Sequence, residues 1–378
     1  MRRLKIIADD KIPFLRGVLE PYSDMVYLPG AAITAADVQH ADAVLTRTRT
    51  KCNSALLEGS NVKLIATATI GYDHIDTEWC EANGIRWVNA PGCNSSSVRQ
   101  YIAAAITTWV QNKNLQFKDL TLGVIGVGNV GGKVASIGRT LGMKVLLNDP
   151  PRAEKEGCSR FTDLDTLLTN SDIVTCHTPL TKDGKYPTWH LSDSAFFDSM
   201  KPNALYINSS RGQVTDSTAL RQAAKNKLAG FILDVWEGEP TPDTELLTNA
   251  FIATPHIAGY SADGKANGTA ACVREISNFF GINELNDWYP ATVPPPPMST
   301  TIVADAAGKS FEQLIYEVIT HTYPILEDSN LLKQSPETFE KQRGDYHIRR
   351  EFGSFSLQLK NAAQDVADIL KNIGFNIV

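Results

Sequence analysis

Short runs rich in Val and Ile, each closed by turn residues and separated by helix-like patterns, recur from Leu4 to about Pro255. Strands that alternate with helices are joined by crossovers, and crossovers build parallel sheets covered on both faces. The first third carries such runs at Leu4–Asp9, Met25–Leu28, Ala43–Thr48, Lys63–Thr69 and Arg86–Ala90. Val98, Ile102, Ala105, Ile106 and Trp109 then recur at helical spacing, which predicts a long helix over Ser95–Lys113. A second sheet opens with Leu122-Gly123-Val124-Ile125 and continues at Lys144–Asn148, Ile173–His177, Ala204–Asn208, Phe231–Val235 and Phe251–Thr254. Six parallel strands of this kind fit a doubly wound sheet.

After Pro255 a helical pattern over Ala262–Phe280 is expected to return the chain to the first domain, with Phe279-Phe280 in its core. Pro294-Pro295-Pro296-Pro297 then breaks all regular structure and forms a stiff spacer. Strand-like runs at Thr301–Ala304, Phe355–Leu359 and Phe375–Val378 lie beyond it and read as a separate small α/β module. The expected division is 1–94 with 257–286, then 95–256, then 287–378. The chain is α/β throughout.

Composition excludes several classes. With 36 Lys and Arg against 42 Asp and Glu, the net charge of −6 provides no basic field for nucleic acid. The longest apolar stretch, Tyr101–Val110, is interrupted by Thr107 and Thr108 and falls short of the ~20 residues that span a bilayer. The run Leu4–Ala8 stops at Asp9-Asp10, too early for a secretory signal, so a cytoplasmic protein without membrane contact is expected. Six cysteines (Cys52, Cys80, Cys93, Cys158, Cys176, Cys272) form no Cys-x-x-Cys pair and are read as reduced thiols. The histidines show no metal-ligand spacing, and no metal is expected.

Gly126-Val127-Gly128-Asn129-Val130-Gly131 follows a strand and precedes a helix, with Asp149 at the end of the next strand. In that context Gly126 makes the tight turn, Gly128 admits a pyrophosphate, and Gly131 lets the helix, begun by Asn129 and Val130, close on the strand. Asp149 would accept the ribose hydroxyls and repel a 2′-phosphate, which favours NAD over NADP, although Arg152 stands three residues on. Ligands in open α/β sheets collect outside the carboxyl ends of the strands. Arg211, Glu239 and His256 follow three successive strands there. A guanidinium to orient a carboxylate, an imidazole to take a hydroxyl proton and a carboxylate to hold the imidazolium are the parts for oxidising a 2-hydroxy acid. Cys176-His177 could suggest a nucleophile, but a buried Cys with His177 shaping the loop is the expected reading.

The segments Gly123–Gly131, His177-Thr178-Pro179-Leu180, Asn208–Gly212, Leu233–Pro240 and Thr254–Gly259 resemble the D-isomer-specific 2-hydroxyacid dehydrogenase family. The likeness spans about Met1 to Ile282. It implies a Rossmann-type cofactor domain beside a flavodoxin-like substrate domain. It implies that His256 is the acid/base, Glu239 its partner and Arg211 the carboxylate anchor, with Thr178, Asp234 and Gly259 touching NAD. Thr48, Thr67 and Tyr260 would contact substrate. Arg99-Gln100 departs from the family, which usually has a small residue and Glu there. Features near Asp149-Pro150-Pro151-Arg152, and the appended C-terminal segment, resemble a branch acting on a small phosphorylated 2-hydroxy acid and pairing as a homodimer through that segment. Arg47 and Arg49, beside Thr48, and Arg349-Arg350 are the cations considered for the phosphate, Arg47 first. Another dehydrogenase of the family, or a nucleotide-sensing binding protein of the same fold, remains open at this point.

Overall fold

The computed structural model describes residues 3–157 and 159–378, so Cys158 lies outside the described residues. Among the described residues the strands form three sheets, with every pairing parallel. By packing, the chain divides into two units, Met1–Asn94 with Ser261–Pro294 and Ser95–Tyr260 with Pro295–Val378. No helix among the described residues is long and apolar enough to cross a membrane.

In the first unit, β1 (Leu4–Asp9), β2 (Ser23–Leu28), β3 (Ala43–Thr46), β4 (Leu64–Thr67) and β5 (Arg86–Val88) lie in the order β2-β1-β3-β4-β5. The central strands β3 and β4 are buried along their whole length, which is why they read as unbroken apolar runs. Both end sooner than the sequence suggests. The Thr67 hydroxyl donates to the Arg47 carbonyl oxygen at 3.0 Å, turning the chain where a longer ladder would have continued.

The helix Ala262–Phe280 packs on this sheet, placing Cys272, Val273 and Ile276 with Ile6, Ala8, Leu45 and Leu64. It starts at Ser261, whose Oγ accepts from the Gly264 N–H at 2.8 Å, and stops at Gly281 with φ +74°. Phe280 packs against the core while Phe279 is 37% exposed, which corrects the reading of that pair as wholly internal. Phe279 and Phe280 lie about 100° apart around the helix, which lets one face the sheet and leaves the other toward solvent.

In the second unit, β6 (Thr121–Ile125), β7 (Lys144–Asn148), β8 (Ile173–Cys176), β9 (Leu205–Asn208), β10 (Gly230–Leu233) and β11 (Ile252–Ala253) run in the order β11-β10-β9-β8-β6-β7. The direction of growth reverses between β6 and β8, so a crevice opens above their carboxyl ends. The segment beyond the prolines adds a smaller sheet of β12 (Thr301–Asp305), β13 (Ser356–Lys360) and β14 (Asn376–Ile377), in that order.

One apolar core joins that segment to the larger sheet: Ile302, Leu314, Val318, Phe352 and Phe355 belong with Ile102, Ile106, Val124 and Val134. Residues 295–378 therefore pack within the same unit as 95–260, where the sequence suggested a separate module. The physical reason lies in the helix Ser95–Lys113, buried continuously from Gln100 to Val110. Such a helix needs cover on every side, and the helix Phe311–Thr322 supplies part of it. Gln100 Nε2 donates to Thr322 Oγ1 at 3.1 Å and to the Arg350 carbonyl at 2.9 Å. The edge of β11 is occupied as well, since the Ala253 N–H donates to Ser329 Oγ at 3.0 Å.

Gly268 provides a test of how rigidly the returning helix sits. A Cβ there would meet the Ala68 carbonyl oxygen at 2.5 Å. Ala is favoured over Gly within a helix by about 1 kcal/mol, whereas overpacking costs about 1–3 kcal/mol. Gly268→Ala is expected to lower stability in urea unfolding; a gain in stability would show that the helix can move away from β4.

Candidate active site

The loop after β6 is shaped by what its glycines exclude. Gly126 has φ +81°, and a Cβ there would meet the His177 carbonyl oxygen at 2.7 Å across the switch between β6 and β8. At Gly131 a Cβ would lie 1.9 Å from the Gly126 carbonyl oxygen, so helix and strand approach as closely as backbones can. Gly128 faces open space with nothing within 4 Å of a Cβ and immediately precedes the helix Asn129–Thr140. The first backbone N–H groups of that helix, from Asn129 and Val130 onward, suit an anion.

Asp149 closes the other side of the loop. Its Oδ2 accepts from the Val127 N–H at 2.8 Å and its Oδ1 from the Arg152 N–H at 3.2 Å. Each carboxylate oxygen retains acceptor capacity for a ribose hydroxyl. Arg152 Nη1 donates to the Val127 carbonyl and Nε to Glu156, which ties this cation to the protein. Thr178 Oγ1 is enclosed without a protein hydrogen-bond partner. An open cradle at Gly128 and an orphaned hydroxyl at Thr178 both fit a bound dinucleotide.

Arg211, Glu239 and His256 follow β9, β10 and β11 and are all carried by the second unit. His256 Nδ1 and Glu239 Oε2 are 2.9 Å apart, while Glu239 Oε1 accepts from the Trp236 N–H at 2.9 Å. Burial, the largest influence on Glu239, raises its pKa. Hydrogen bonding to His256, the charges of His256 and Arg343 and the Trp236 N–H outweigh it and hold the carboxyl below its usual range. The loop carrying Arg211 is fixed by Asn208, whose Nδ2 donates to the Arg211 carbonyl at 2.9 Å. Gly212 seats that loop against the next one, since a Cβ there would meet the Trp236 carbonyl carbon and oxygen at 2.1 Å. Glu237 stiffens the same stretch, with Oε1 2.7 Å from His190 Nε2 and Oε2 accepting from the Ser217 N–H at 3.0 Å.

His256 has φ +57°, the left-handed region that side chains other than glycine seldom adopt. The surrounding loop is bound from two quarters. Asp234, 1% exposed, accepts the N–H groups of Ile257 at 2.8 Å and Ala258 at 2.9 Å, and its backbone carbonyl accepts the His256 N–H at 2.7 Å. Arg349, also 1% exposed, donates from Nη2 to the carbonyls of Ala258 at 2.5 Å and Ile257 at 3.2 Å. Its guanidinium carbon lies 4.4 Å from the Tyr323 ring centre.

Several of the expected site residues have protein contacts of their own. Asp234, expected to touch NAD, accepts from Thr254 and Ile257 at Oδ1 and from Ala258 at Oδ2. Arg349, considered for a phosphate, is buried on carbonyl groups. Arg47 Nη1 donates to the Lys11 carbonyl at 3.2 Å, and Thr48 is exposed at the carboxyl end of β3. Gly259 occupies the turn in which the Tyr260 N–H donates to the Ile257 carbonyl at 2.9 Å. The Tyr260 hydroxyl accepts from Arg343 Nη2 at 3.2 Å. Arg343 did not stand out in the sequence, because a cation on a short charged helix reads as a solvated face. Burial pushes the Cys176 thiol up to about 11, so it is no nucleophile, and burial pushes His177 down to about 3, leaving it neutral beside Thr175. Cys52, Cys80, Cys93, Cys176 and Cys272 are free thiols.

Arg349 can be tested directly. Leaving a buried acceptor without its donor costs about 1–3 kcal/mol. Arg349→Met is expected to lose stability of that order in urea and to lower turnover, with Arg349→Lys intermediate. Unchanged stability and turnover in Arg349→Met would show that Asp234 alone sets the loop.

Residues 97–258 match the family model of the D-isomer specific 2-hydroxyacid dehydrogenase, NAD binding domain. The chain is 49% identical over 356 residues to the erythronate-4-phosphate dehydrogenase of Bacteroides thetaiotaomicron, covering 94% of this chain and 99% of that protein. It is 39% identical over 376 residues to the enzyme of the same name from Porphyromonas gingivalis, covering 98% and 100%. Among solved structures, D-lactate dehydrogenase of Aquifex aeolicus with NAD and lactic acid aligns with TM-score 0.58 and 26% identity, over 77% of this chain and 99% of that one. Cofactor-bound 3-phosphoglycerate dehydrogenase of Entamoeba histolytica aligns with TM-score 0.63 and 24% identity, over 76% and 98%. The cofactor is NAD. With the Gly126–Gly131 loop, Arg211, Glu239 and His256 in these places, the chain belongs to the D-isomer-specific 2-hydroxyacid dehydrogenase family, in the branch of the erythronate-4-phosphate dehydrogenases.

Proposed function

We propose that this protein oxidises 4-phospho-D-erythronate to 2-oxo-3-hydroxy-4-phosphobutanoate, a step toward pyridoxal 5′-phosphate. The names and near full-length identity of its relatives support the substrate, and the 2.9 Å contact between His256 and Glu239 carries the chemistry. With Nδ1–H donated to Glu239, the Nε2 lone pair of neutral His256 is left to take the proton of the 2-hydroxyl. Glu239 stays ionised and steadies the imidazolium that results. Arg211 orients the substrate carboxylate through paired donors. NAD, held by Gly126, Gly128, Asn129, Val130, Gly131, Asp149 and Thr178, with Gly259 beside it, supplies the hydride acceptor. Asp234 fixes the His256 loop and, on the family likeness, lies beside NAD as well. Thr48, Thr67 and Tyr260 are assigned to substrate on the family likeness, and Arg47 stands beside Thr48 at the end of β3. The reaction is placed in the cytoplasm.

Oxidation assays with 4-phospho-D-erythronate and 3-phosphoglycerate test this reading, which requires clear preference for the former. A positioned acid/base contributes about 10²–10⁴-fold, so His256→Asn should reduce turnover by that order with NAD binding retained. Turnover within about threefold of the parent would remove His256 from the role. The Glu239 carboxyl lies below its usual range, so it is already charged wherever the imidazole loses its proton. The forward rate should therefore climb with pH as a single-proton limb, and a two-proton limb would contradict this assignment.

We further infer a homodimer formed through residues 287–378. Supporting it, β12 alternates exposed and buried residues and leaves Val303 52% exposed, an apolar position that a partner would cover. Light scattering of the full chain should give the dimer mass, and Val303→Lys should shift it toward monomer. A monomeric parent would overturn the assignment.

A further inference from the structure

A four-carbon substrate with a carboxylate at one end and a phosphate at the other needs two cations. Arg211 serves the first. Of the cations singled out in the sequence for the second, Arg349 is buried on the carbonyls of Ile257 and Ala258, and Arg47, whose Nη1 donates to the Lys11 carbonyl, belongs to the first unit. The structure instead brings Arg343, from the last turn of the helix Phe339–Gly344, to the loop that follows His256. Its Nη2 donates to the Tyr260 hydroxyl at 3.2 Å, and its guanidinium carbon stands 5.7 Å from the centre of the Tyr260 ring. The Arg343 charge also acts on Glu239.

Two features show that Arg343 is not exhausted by its protein contacts. Its Nε is enclosed and has no hydrogen-bond partner among the described residues. Its ion pair is with Glu340 at 3.2 Å, three residues back on the same helix and 44% exposed. Exposed pairs of this kind contribute little and are readily exchanged. A phosphate offers oxygens to several guanidinium N–H groups at once, a match of geometry as well as charge.

We propose that Arg343, supported by Tyr260, is the cation that receives the substrate phosphate and sets the preference for a phosphorylated 2-hydroxy acid. This rests on the proposed oxidation of 4-phospho-D-erythronate and assigns a residue to the far end of that substrate. Arg343 is a specificity residue: it binds the end that does not react, while Arg211 and His256 act at the end that does.

The test compares the parent with Arg343→Met and Arg343→Lys, using 4-phospho-D-erythronate and D-erythronate as substrates. Losing a charge-assisted contact to phosphate corresponds to about 10- to 100-fold in kcat/KM. Arg343→Met should show that loss for the phosphorylated substrate, mainly in KM, with little change for D-erythronate and unchanged NAD binding. Arg343→Lys should recover part of it. Inorganic phosphate supplies a second readout, as it should compete with 4-phospho-D-erythronate in the parent and raise the parent's melting temperature, but do neither in Arg343→Met. Equal losses on both substrates, or phosphate binding unaltered in Arg343→Met, would overturn the assignment. If the parent itself fails to oxidise 4-phospho-D-erythronate, the functional reading falls, and the phosphate titration still decides whether Arg343 holds an anion.

Discussion

Two buried charges set one short loop, and the chemistry depends on them. Asp234 takes the N–H groups of Ile257 and Ala258, and Arg349 takes the carbonyls of the same two residues. The backbone after His256 thus has both its donors and its acceptors satisfied by ions. A left-handed conformation at a non-glycine residue costs about 1–3 kcal/mol, whereas each hydrogen bond to a charged group contributes about 1.5–3 kcal/mol. Several such bonds outweigh the strain, and His256 keeps the backbone geometry that brings Nδ1 to Glu239. The Thr254 hydroxyl, donating to Asp234 at 2.7 Å, and Tyr101, 2.7 Å from Thr254 Oγ1, extend the same network into the helix Ser95–Lys113.

The other strand-end loops are fixed by contact with one another. Gly212 lies against the Trp236 backbone so closely that no side chain fits between, which couples the position of Arg211 to that of Glu239. The Trp236 N–H holds one oxygen of Glu239, and the Trp236 indole N–H donates to the Thr254 carbonyl at 2.9 Å. A shift of any one loop would be felt by the other two. Orientation of this quality is what the proposed roles of Arg211, Glu239 and His256 require.

Much of this was legible in the residues themselves. The strands could be read because central strands of a parallel sheet are buried on both faces and have to be apolar throughout. Gly126 and Gly131 could be read because a tight turn and a close helix leave no room for a side chain, and Gly128 because an open cradle for an anion follows from its place before the helix. Arg211, Glu239 and His256 stood out by ending successive strands. What stayed hidden depends on partners distant in sequence. Arg349 and Arg343 are cations in a charged stretch, and nothing local reveals that one is buried on carbonyls and the other meets Tyr260. The departure at Arg99-Gln100 has the same origin: Gln100 binds Thr322 and the Arg350 carbonyl, and Arg99 stands 5.6 Å from the Phe352 ring centre. These side chains are fitted to a C-terminal partner that no periodicity announces.

The burial of Arg349 beneath the His256 loop also ties the working site to the order in which the chain is made. Gly126, Arg211, Glu239 and His256 all leave the ribosome before it, and a nascent chain that ends short of residue 349 already contains every group needed for hydride transfer. Yet the carbonyls of Ile257 and Ala258 then lack their buried cation. Synthesis of the reactive groups therefore precedes assembly of the reactive geometry. Arg349 acts as a keystone set after the arch is built.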